Sequence, residues 1–236
     1  MTHLVDLSGL RLTRPATRHG PGYSLTIPHF RLSAGDRIGL VGPSGSGKSS
    51  LLDMLALIRR PDAVTRFCLS GQDVTQVMLH GRLDRLTALR ARHVGYVLQD
   101  GGLLPYLTVR GNALLAARLA GQHDRDAITV RARFLGMADL LDKSPATLSG
   151  GQRQRAAVLR GLASNARILL ADEPTAALDA ANAQTVMQLL ADLPADRAVV
   201  VSSHNEDLLS QAGFRLLRIA LHHDAGQTCA TLSEAA

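Results

Sequence analysis

The stretch Gly42-Pro43-Ser44-Gly45-Ser46-Gly47-Lys48-Ser49-Ser50 sets a glycine, four residues of any type, and then Gly-Lys-Ser in succession. Before it runs Arg37-Ile-Gly-Leu-Val41, which reads as a buried parallel strand. After it runs Leu51-Leu-Asp-Met-Leu-Ala-Leu-Ile58, which has helical character. A glycine-rich loop between a strand and a helix is the context of a phosphate-binding loop. The glycines let the backbone curl so that successive N–H groups face phosphate oxygens. The helix N-terminus adds partial positive charge. All nine residues are candidate nucleotide contacts. Lys48 is assigned to the β- and γ-phosphates, and the Ser49 hydroxyl to Mg²⁺.

A chain of 236 residues has room for one generous domain, or a core with an inserted subdomain. Apolar residues make up 46% but aromatics only 3%, and Trp is absent, so the core must be aliphatic. The formal charge of +6 suits nucleic acid, an anionic membrane surface or an acidic protein, without choosing among them. Cys68 and Cys229 stand far apart, outside any Cys-x-x-Cys pattern, and read as incidental thiols of a reducing compartment. No stretch approaches the ~20 apolar residues of a membrane span, and residues 1–22 carry no apolar signal core. The chain is therefore expected not to cross a membrane by itself.

Alternation over residues 4–12 and 23–27, with 30–32 resuming after Pro28, predicts a small β-rich region ahead of the loop. Residues 67–69 and the turn at Gly71-Gln72-Asp73 add a strand. The Arg- and Leu-rich residues 79–93 predict a surface helix with a basic face, and 94–98 a buried strand ending at Gln99. Residues 103–137 read as largely helical, with breaks at Pro105 and Gly121. A glycine turn at 148–152 feeds a basic helix through Gly161. Strands follow at 168–171 and 198–202, helices at 180–193 and from 207, and a late strand at 214–221. Residues 222–236 are weakly patterned and are expected to be mobile. Strands alternating with helices predict an α/β fold with a mainly parallel sheet, preceded by an antiparallel β subdomain. Ligands of such sheets sit at the carboxyl ends of the strands. The phosphate loop, Gln99, Asp172 and His204 each follow a strand, so one sheet edge should gather them.

Ile168-Leu-Leu-Ala-Asp172-Glu173 is an apolar strand ending in two carboxylates. Neighbours on a strand face opposite ways, so their roles should divide. Asp172 is assigned to Mg²⁺, and Glu173 to orienting or deprotonating a water. In Leu148-Ser149-Gly150-Gly151-Gln152, Ser149 is placed to cap a helix, and the glycines allow close approach of backbone to an anion.

Taken together, these stretches resemble the ATP-binding subunits of ABC transporters, over residues 4–221. The loop resembles Walker A. Gln99 in Tyr-Val-Leu-Gln resembles the Q-loop glutamine, and Leu148 to Gln152 the family signature. Ile168 to Glu173 resembles Walker B with its catalytic glutamate. Ala177-Leu178-Asp179 resembles the D-loop, and His204 in Ser-Ser-His the switch histidine. The resemblance implies a P-loop ATPase spanning residues 1–236, with a helical subdomain inserted at about 101–147. It implies a head-to-tail dimer of ATPase subunits, homodimer or heterodimer. Each ATP then lies between Walker A of one subunit and Ser149, Gly150, Gly151 and Gln152 of the other, with Asp179 crossing the interface. It also implies that Gln99 senses γ-phosphate, Mg²⁺ or water, and that His204 contacts the γ-phosphate.

One departure concerns the base. The family places an aromatic near the end of the first strand pair to stack on adenine. Residues 12–22 hold none and offer Pro15, Arg18 and His19, so Tyr23 is the nearest candidate. The stretch from Gln99 through Leu103-Leu-Pro-Tyr-Leu-Thr108 to Asn112 resembles the subgroup of lipoprotein-release, macrolide-efflux and cell-division ATPases, though Gly111 stands where that subgroup more often has Glu. The implied partner is a separate integral membrane permease docking near residues 103–118, which would place the chain at the cytoplasmic face of the inner membrane as a peripheral subunit. The alternative is a soluble ABC-type ATPase acting on nucleic acid or ribosomes. Such proteins carry paired cassettes, a long coiled coil or zinc-binding cysteines, so a nucleic-acid partner is disfavoured here.

Overall fold

Strand β1 (Val5–Arg14) pairs antiparallel with β2 (Gly22–Leu32), from Val5 opposite Leu32 to Arg14 opposite Tyr23. The molecule is a computed structural model that describes residues 3–16, 22–122, 124–224 and 227–234. The sequence split β2 at Pro28, but the structure does not. Proline removes a ladder donor, and the β1–β2 register passes from Ser8–His29 to Leu10–Ile27 without pairing Gly9 to Pro28. Gly9 has φ +62°, which opens the ladder at that point.

Ten strands of the described residues form one sheet in the order β5-β4-β1-β2-β10-β9-β3-β8-β7-β6. Strands β4 (Arg66–Leu69) and β5 (Gln72–Asp73) extend the antiparallel end. Strands β3 (Arg37–Val41), β6 (Val94–Val97), β7 (Ile168–Asp172), β8 (Ala198–Ser202) and β9 (Arg215–Asp224) pair parallel. Strand β10 (Gln227–Glu234) corrects the expectation of a mobile tail. It lies between the two halves, parallel to β2 and antiparallel to β9. Its apolar content is small, which is why the sequence pattern missed it. What it offers is backbone hydrogen bonds to both neighbours, the buried Ala230 and the partly buried Leu232 packed on the same core.

The parallel strands are buried on both faces, and the pleat sorts them. Ile168, Leu170, Ala198 and Val200 face one core, shared with Leu51, Leu52 and the β1–β2 residues. Leu169, Ala171, Val199 and Val201 face a second core with the later helices. Helix α1 (Lys48–Leu55) follows the loop, and Tyr96 of β6 donates from its hydroxyl to Asp53 of α1 at 3.0 Å. The expected basic helix is two, α2 (Thr75–His80) and α3 (Leu83–His93), because Gly81 at φ +61° ends the first.

Helices α4 (Val109–Leu119) and α5 (Arg125–Phe134) follow a loop at 103–108 that is not helical. The buried Asn112 holds that loop, accepting from Leu104 N at 2.8 Å and donating to the Leu104, Leu107 and Thr108 carbonyls. Both helices pack on α6 (Gly150–Ala163), joined by Arg131 to Leu162 O and Arg155 to Leu135 O. Helices α7 (Ala180–Ala191) and α8 (Glu206–Gln211) complete the second layer.

The docking of β10 is testable through Ala230→Asp. It buries an unpaired carboxylate between strands, which should cost about 3 kcal/mol. The melting temperature should fall by about 6–12 °C. An unchanged melt would mean that β10 is not seated in solution.

Candidate functional site

The carboxyl ends of β3, β6, β7 and β8 open on a cavity of about 390 Å³. Residues 44–50 form one wall, and Gln99, Asp172, Glu173 and His204 line the rest, with Tyr23 and Arg14 from the first hairpin. The expected convergence on one sheet edge is thus what the structure shows. Strand register explains it, since Asp172 ends β7 directly opposite Ser202 at the end of β8.

The loop curls for steric reasons that need glycine. Gly47 has φ +99°, and a Cβ there would lie 2.2 Å from the Tyr23 hydroxyl. At Gly42 a Cβ would lie 2.6 Å from the Ile219 carbonyl of β9. Helix α1 begins at Gly47 with no side chain capping it, so its first amides are left for an incoming acceptor. The Ser46 hydroxyl is buried without a partner. Ser49 is exposed toward the cavity, while Ser50 is buried. Gly42 and Pro43 do not line the cavity. Their carbonyls accept from Lys48 Nζ at 2.8 and 3.1 Å. Lys48 is 6% exposed. Burial pushes its pKa down, partly offset by Glu173 and Asp172. A phosphate would give this ammonium a charged acceptor in place of two neutral ones.

Asp172 is buried and its Oδ1 accepts from the Ser202 hydroxyl. Glu173 lies just beyond β7 with φ 47°. Burial raises its pKa above the ordinary carboxylate range, despite the attraction of His204 and Lys48. Glu173 Oε1 lies 3.4 Å from His204 Nε2, within Coulombic reach, yet it has no aligned hydrogen bond. A buried carboxylate oxygen without a donor, beside a cavity, suits a water held against a phosphate. The described residues contain no group of three His, Cys, Asp or Glu able to hold a metal alone. A hydroxyl and a carboxylate, Ser49 and Asp172, instead fit Mg²⁺ arriving on phosphate oxygens.

Tyr23 serves the loop. Its hydroxyl donates to Ser46 O at 2.8 Å, and burial lifts its pKa to about 12. Of the residues considered for the base, Arg18 and His19 lie outside the described residues, and Pro15 does not line the cavity. Arg14 does, and sequence reasoning passed over it. The available signal was its place at the end of β1, opposite Tyr23. Ser202 was also missed, although it is the polar end of the otherwise apolar Ala-Val-Val-Val-Ser strand.

Ser149, Gly150, Gly151, Gln152 and Asp179 stand outside the cavity lining. Ser149 and Gln152 form a reciprocal capping box on α6, at 2.9 and 3.2 Å. The two glycines are the first residues of α6 itself rather than a turn before it. Gly151 packs on the next loop, where a Cβ would lie 3.1 Å from Ala177 O. Asp179 caps α7, accepting from Asn182 N and Nδ2 at 2.9 and 2.7 Å, which lowers its pKa.

Comparison with known proteins agrees with this geometry. The family model described as ABC transporter matches residues 25–176, more than half of the chain. Lipoprotein-releasing system ATP-binding protein LolD 2 of Caulobacter vibrioides is 40% identical over 180 residues, covering 74% of this chain and 76% of that protein. The macrolide export ATP-binding/permease protein MacB of Shigella flexneri is 36% identical over 222 residues, covering 90% of this chain but 32% of MacB. Among solved structures, the dimeric structure of MJ0796, a bacterial ABC transporter cassette, aligns with TM-score 0.78 at 27% identity over 91% of this chain and 93% of that one. MJ0796 in a post-hydrolysis state bound to ADP and Pi aligns with TM-score 0.75 at 29% identity, over 94% and 95% of the two chains. The chain belongs to the ABC transporter family and is one of its ATP-binding, ATP-hydrolysing subunits.

Two outcomes follow from the site. Tyr23→Phe removes a single hydroxyl donor to the loop, so stability should fall by about 1 kcal/mol. ATP affinity, read by fluorescent-nucleotide titration, should weaken several-fold, and unaltered affinity would show that Tyr23 does not support the loop. The second concerns pH. A carboxyl with a raised folded pKa binds more protons when folded than when unfolded, so its cost to stability grows as pH rises above the unfolded value. Nucleotide-free Glu173→Gln should therefore melt above the parent at pH 7–8, with the gap closing as pH falls from the raised folded pKa toward the ordinary value of 4.5. A gap that is independent of pH would contradict the burial of Glu173 as the cause.

Proposed function

We propose that this chain powers a membrane permease carried on a separate polypeptide, working from the cytoplasmic face of the inner membrane. One observation carries the reading: the phosphate loop, Asp172, Glu173 and His204 share a cavity in which Glu173 Oε1 has no hydrogen-bond donor. In this reading the amides of residues 44–50 and Lys48 take the nucleotide phosphates. Ser49, Asp172 and Gln99 would hold Mg²⁺, which when bound would offset charge on the γ-phosphate. Glu173 takes the proton of the attacking water, and its raised pKa favours that step. His204, within 3.4 Å of Glu173, is placed to follow the γ-phosphate.

Ser149, Gly150, Gly151, Gln152 and Asp179 have no access to this chain's own cavity. Their use in a partner's site, in a head-to-tail dimer, is supported by that separation and by the dimeric MJ0796 cassette. Nucleotide then bridges two subunits only when they are closed, and hydrolysis removes the bridge. Residues 101–147 act as the subdomain that passes closure to the permease. A groove of about 300 Å³ between α3, α4 and α6, with Ile58, Leu98 and Leu119 on its wall, supports docking there. Export or lipoprotein release is supported by the names of the LolD and MacB relatives. Base contact falls to Tyr23 with Arg14, both on the cavity wall.

The test is ATPase activity of the purified chain, alone and with fractionated membrane proteins, beside Glu173→Gln. The parent should hydrolyse ATP, faster with one integral membrane partner. Glu173→Gln should bind ATP, persist as an ATP-bound dimer and turn over at least about 100-fold more slowly. Stimulation by DNA or RNA with indifference to membrane proteins would transfer the chain to the soluble class. Unchanged turnover in Glu173→Gln would remove Glu173 as the base.

A further inference from the structure

Glu173 is one of four residues other than glycine with positive φ among the described residues, at 47°. A side chain with a Cβ occupies that region only with support from its surroundings. Both of its backbone polar groups have such support. Its N–H is shared between the Ser202 hydroxyl at 3.0 Å and the Ser202 carbonyl at 3.2 Å. Its C=O accepts from Gln154 Nε2 at 3.2 Å and, within its own turn, from Ala176 N at 3.2 Å. Ser202 is 0% exposed and Gln154 5%, so water does not compete for either contact. The Ser202 hydroxyl also donates to Asp172 Oδ1, so one buried group joins the metal-side carboxylate to the backbone of its neighbour.

We propose that Gln154 and Ser202 are positioning residues that clamp the Glu173 backbone in its left-handed conformation and so aim its carboxylate into the cavity. This rests on the reading of Glu173 as the general base. The direction of a side chain follows from its backbone angles. Were Glu173 to relax to an extended φ, its carboxylate would leave its place beside His204. Asp172, fixed in the β7–β8 register, would stay where it is. The clamp therefore separates the fates of two adjacent carboxylates.

Gln154 gives the clamp a direction. It lies in α6, a little over one turn beyond Ser149, which opens the capping box. That capped end is the part of the chain assigned to a partner's nucleotide. A rotation of α6 about its N-terminus would move the Gln154 amide relative to the Glu173 carbonyl. The helix end that meets the other subunit's ATP is thus mechanically joined to the base of its own site. Ser202 is joined instead to the end of β8, two residues before His204. The two halves of the clamp come from elements that report on different parts of the nucleotide.

The test uses the full chain as Gln154→Leu, Ser202→Ala and, as a milder form, Gln154→Asn, each alone and combined with Glu173→Gln. We expect kcat to fall about 10- to 100-fold with KM for ATP little changed. The melting temperature of Gln154→Leu should stay near the parent's, that of Ser202→Ala should fall by several degrees because buried Asp172 loses its donor, and ATP-bound dimers should live longer in size-exclusion runs. Amide exchange of the nucleotide-free protein should quicken at residues 173–176. In the Glu173→Gln background Gln154→Leu should not slow single-turnover hydrolysis further, since it acts through Glu173, whereas Ser202→Ala keeps the part of its effect that runs through Asp172. Parent-like kcat in folded Gln154→Leu and Ser202→Ala, with Glu173→Gln inactive, overturns the clamp and leaves the base assignment standing. An undiminished Gln154→Leu effect in the Glu173→Gln background shows a general structural role and also overturns it. If Glu173→Gln keeps full turnover, the base assignment falls, and unchanged amide exchange would remove the clamp as well. Should Gln154→Leu not fold, Gln154→Asn and Ser202→Ala decide by the same readouts.

Discussion

Lys48, Asp172 and Glu173 are buried around one cavity, and the attraction of the ammonium to both carboxylates offsets part of that burial, while the two carboxylates repel each other. A single ion taken from water into a protein costs several kcal/mol even after relaxation. Here the ammonium is further offset by two carbonyls of its own loop and Asp172 by the Ser202 hydroxyl. Burial lifts the Glu173 pKa despite His204 and Lys48 nearby, and its Oε1 has no donor, whereas the exposed Asp179, which accepts from Asn182, moves the other way. The site is thus left with an ammonium on neutral acceptors and a carboxylate short of a donor. A polyphosphate with a divalent cation and a water supplies what both lack.

Much of this was legible because strand ends carry the chemistry. A parallel sheet buried on both faces forces apolar runs, and the first polar residue after each run marks the carboxyl edge. Reading Val41, Leu98, Ala171 and Val201 as the last apolar residues of their strands places the loop, Gln99, Asp172 and His204 at one edge from the sequence alone. The same logic explains the failures. Strand β10 is held by backbone pairing to two neighbours, and backbone hydrogen bonds leave little trace in side-chain pattern. The loop at 103–108 is fixed by a single buried amide, Asn112, acting on residues behind it, a contact that no helical period reports. Arg14 was overlooked because the search near the hairpin was for an aromatic ring. The pleat and register of β1 with β2 put a guanidinium in the cavity instead.

The signature stretch shows how one short sequence can serve two purposes without conflict. Ser149 and Gln152 satisfy each other's backbone at the start of α6, so the helix end is stable without any ligand. A capping box uses the Ncap and N3 amides and leaves those of N1 and N2, here Gly150 and Gly151, uncommitted. The absence of side chains at these two residues keeps that end open to an anion. Capping and phosphate contact are therefore complementary at this helix, and the choice between them posed by the sequence does not arise in the structure.

Strand β10 also changes how the two halves of the molecule relate. Without it, β2 and β9 would each present an unpaired edge, and the hairpin carrying Tyr23 and Arg14 could pivot against the parallel strands. With β10 between them, the donor that Tyr23 extends to Ser46 is fixed relative to β3 and the loop it feeds. Gly47 has no room for a side chain under the Tyr23 hydroxyl, so hairpin and loop are matched to within a bond length. The helices α4 and α5 have no comparable tie to the sheet. They reach it through α6, through packing of α4 on α3, and through the segment after β6, where Arg160 donates to the Gly102 carbonyl beyond Gln99. The hairpin side of the nucleotide cavity is thus built into a continuous sheet, whereas α4 and α5 are joined to it by helix packing and by the segment that carries Gln99. Motion that follows the nucleotide state meets less resistance across that packing than across a hydrogen-bonded sheet.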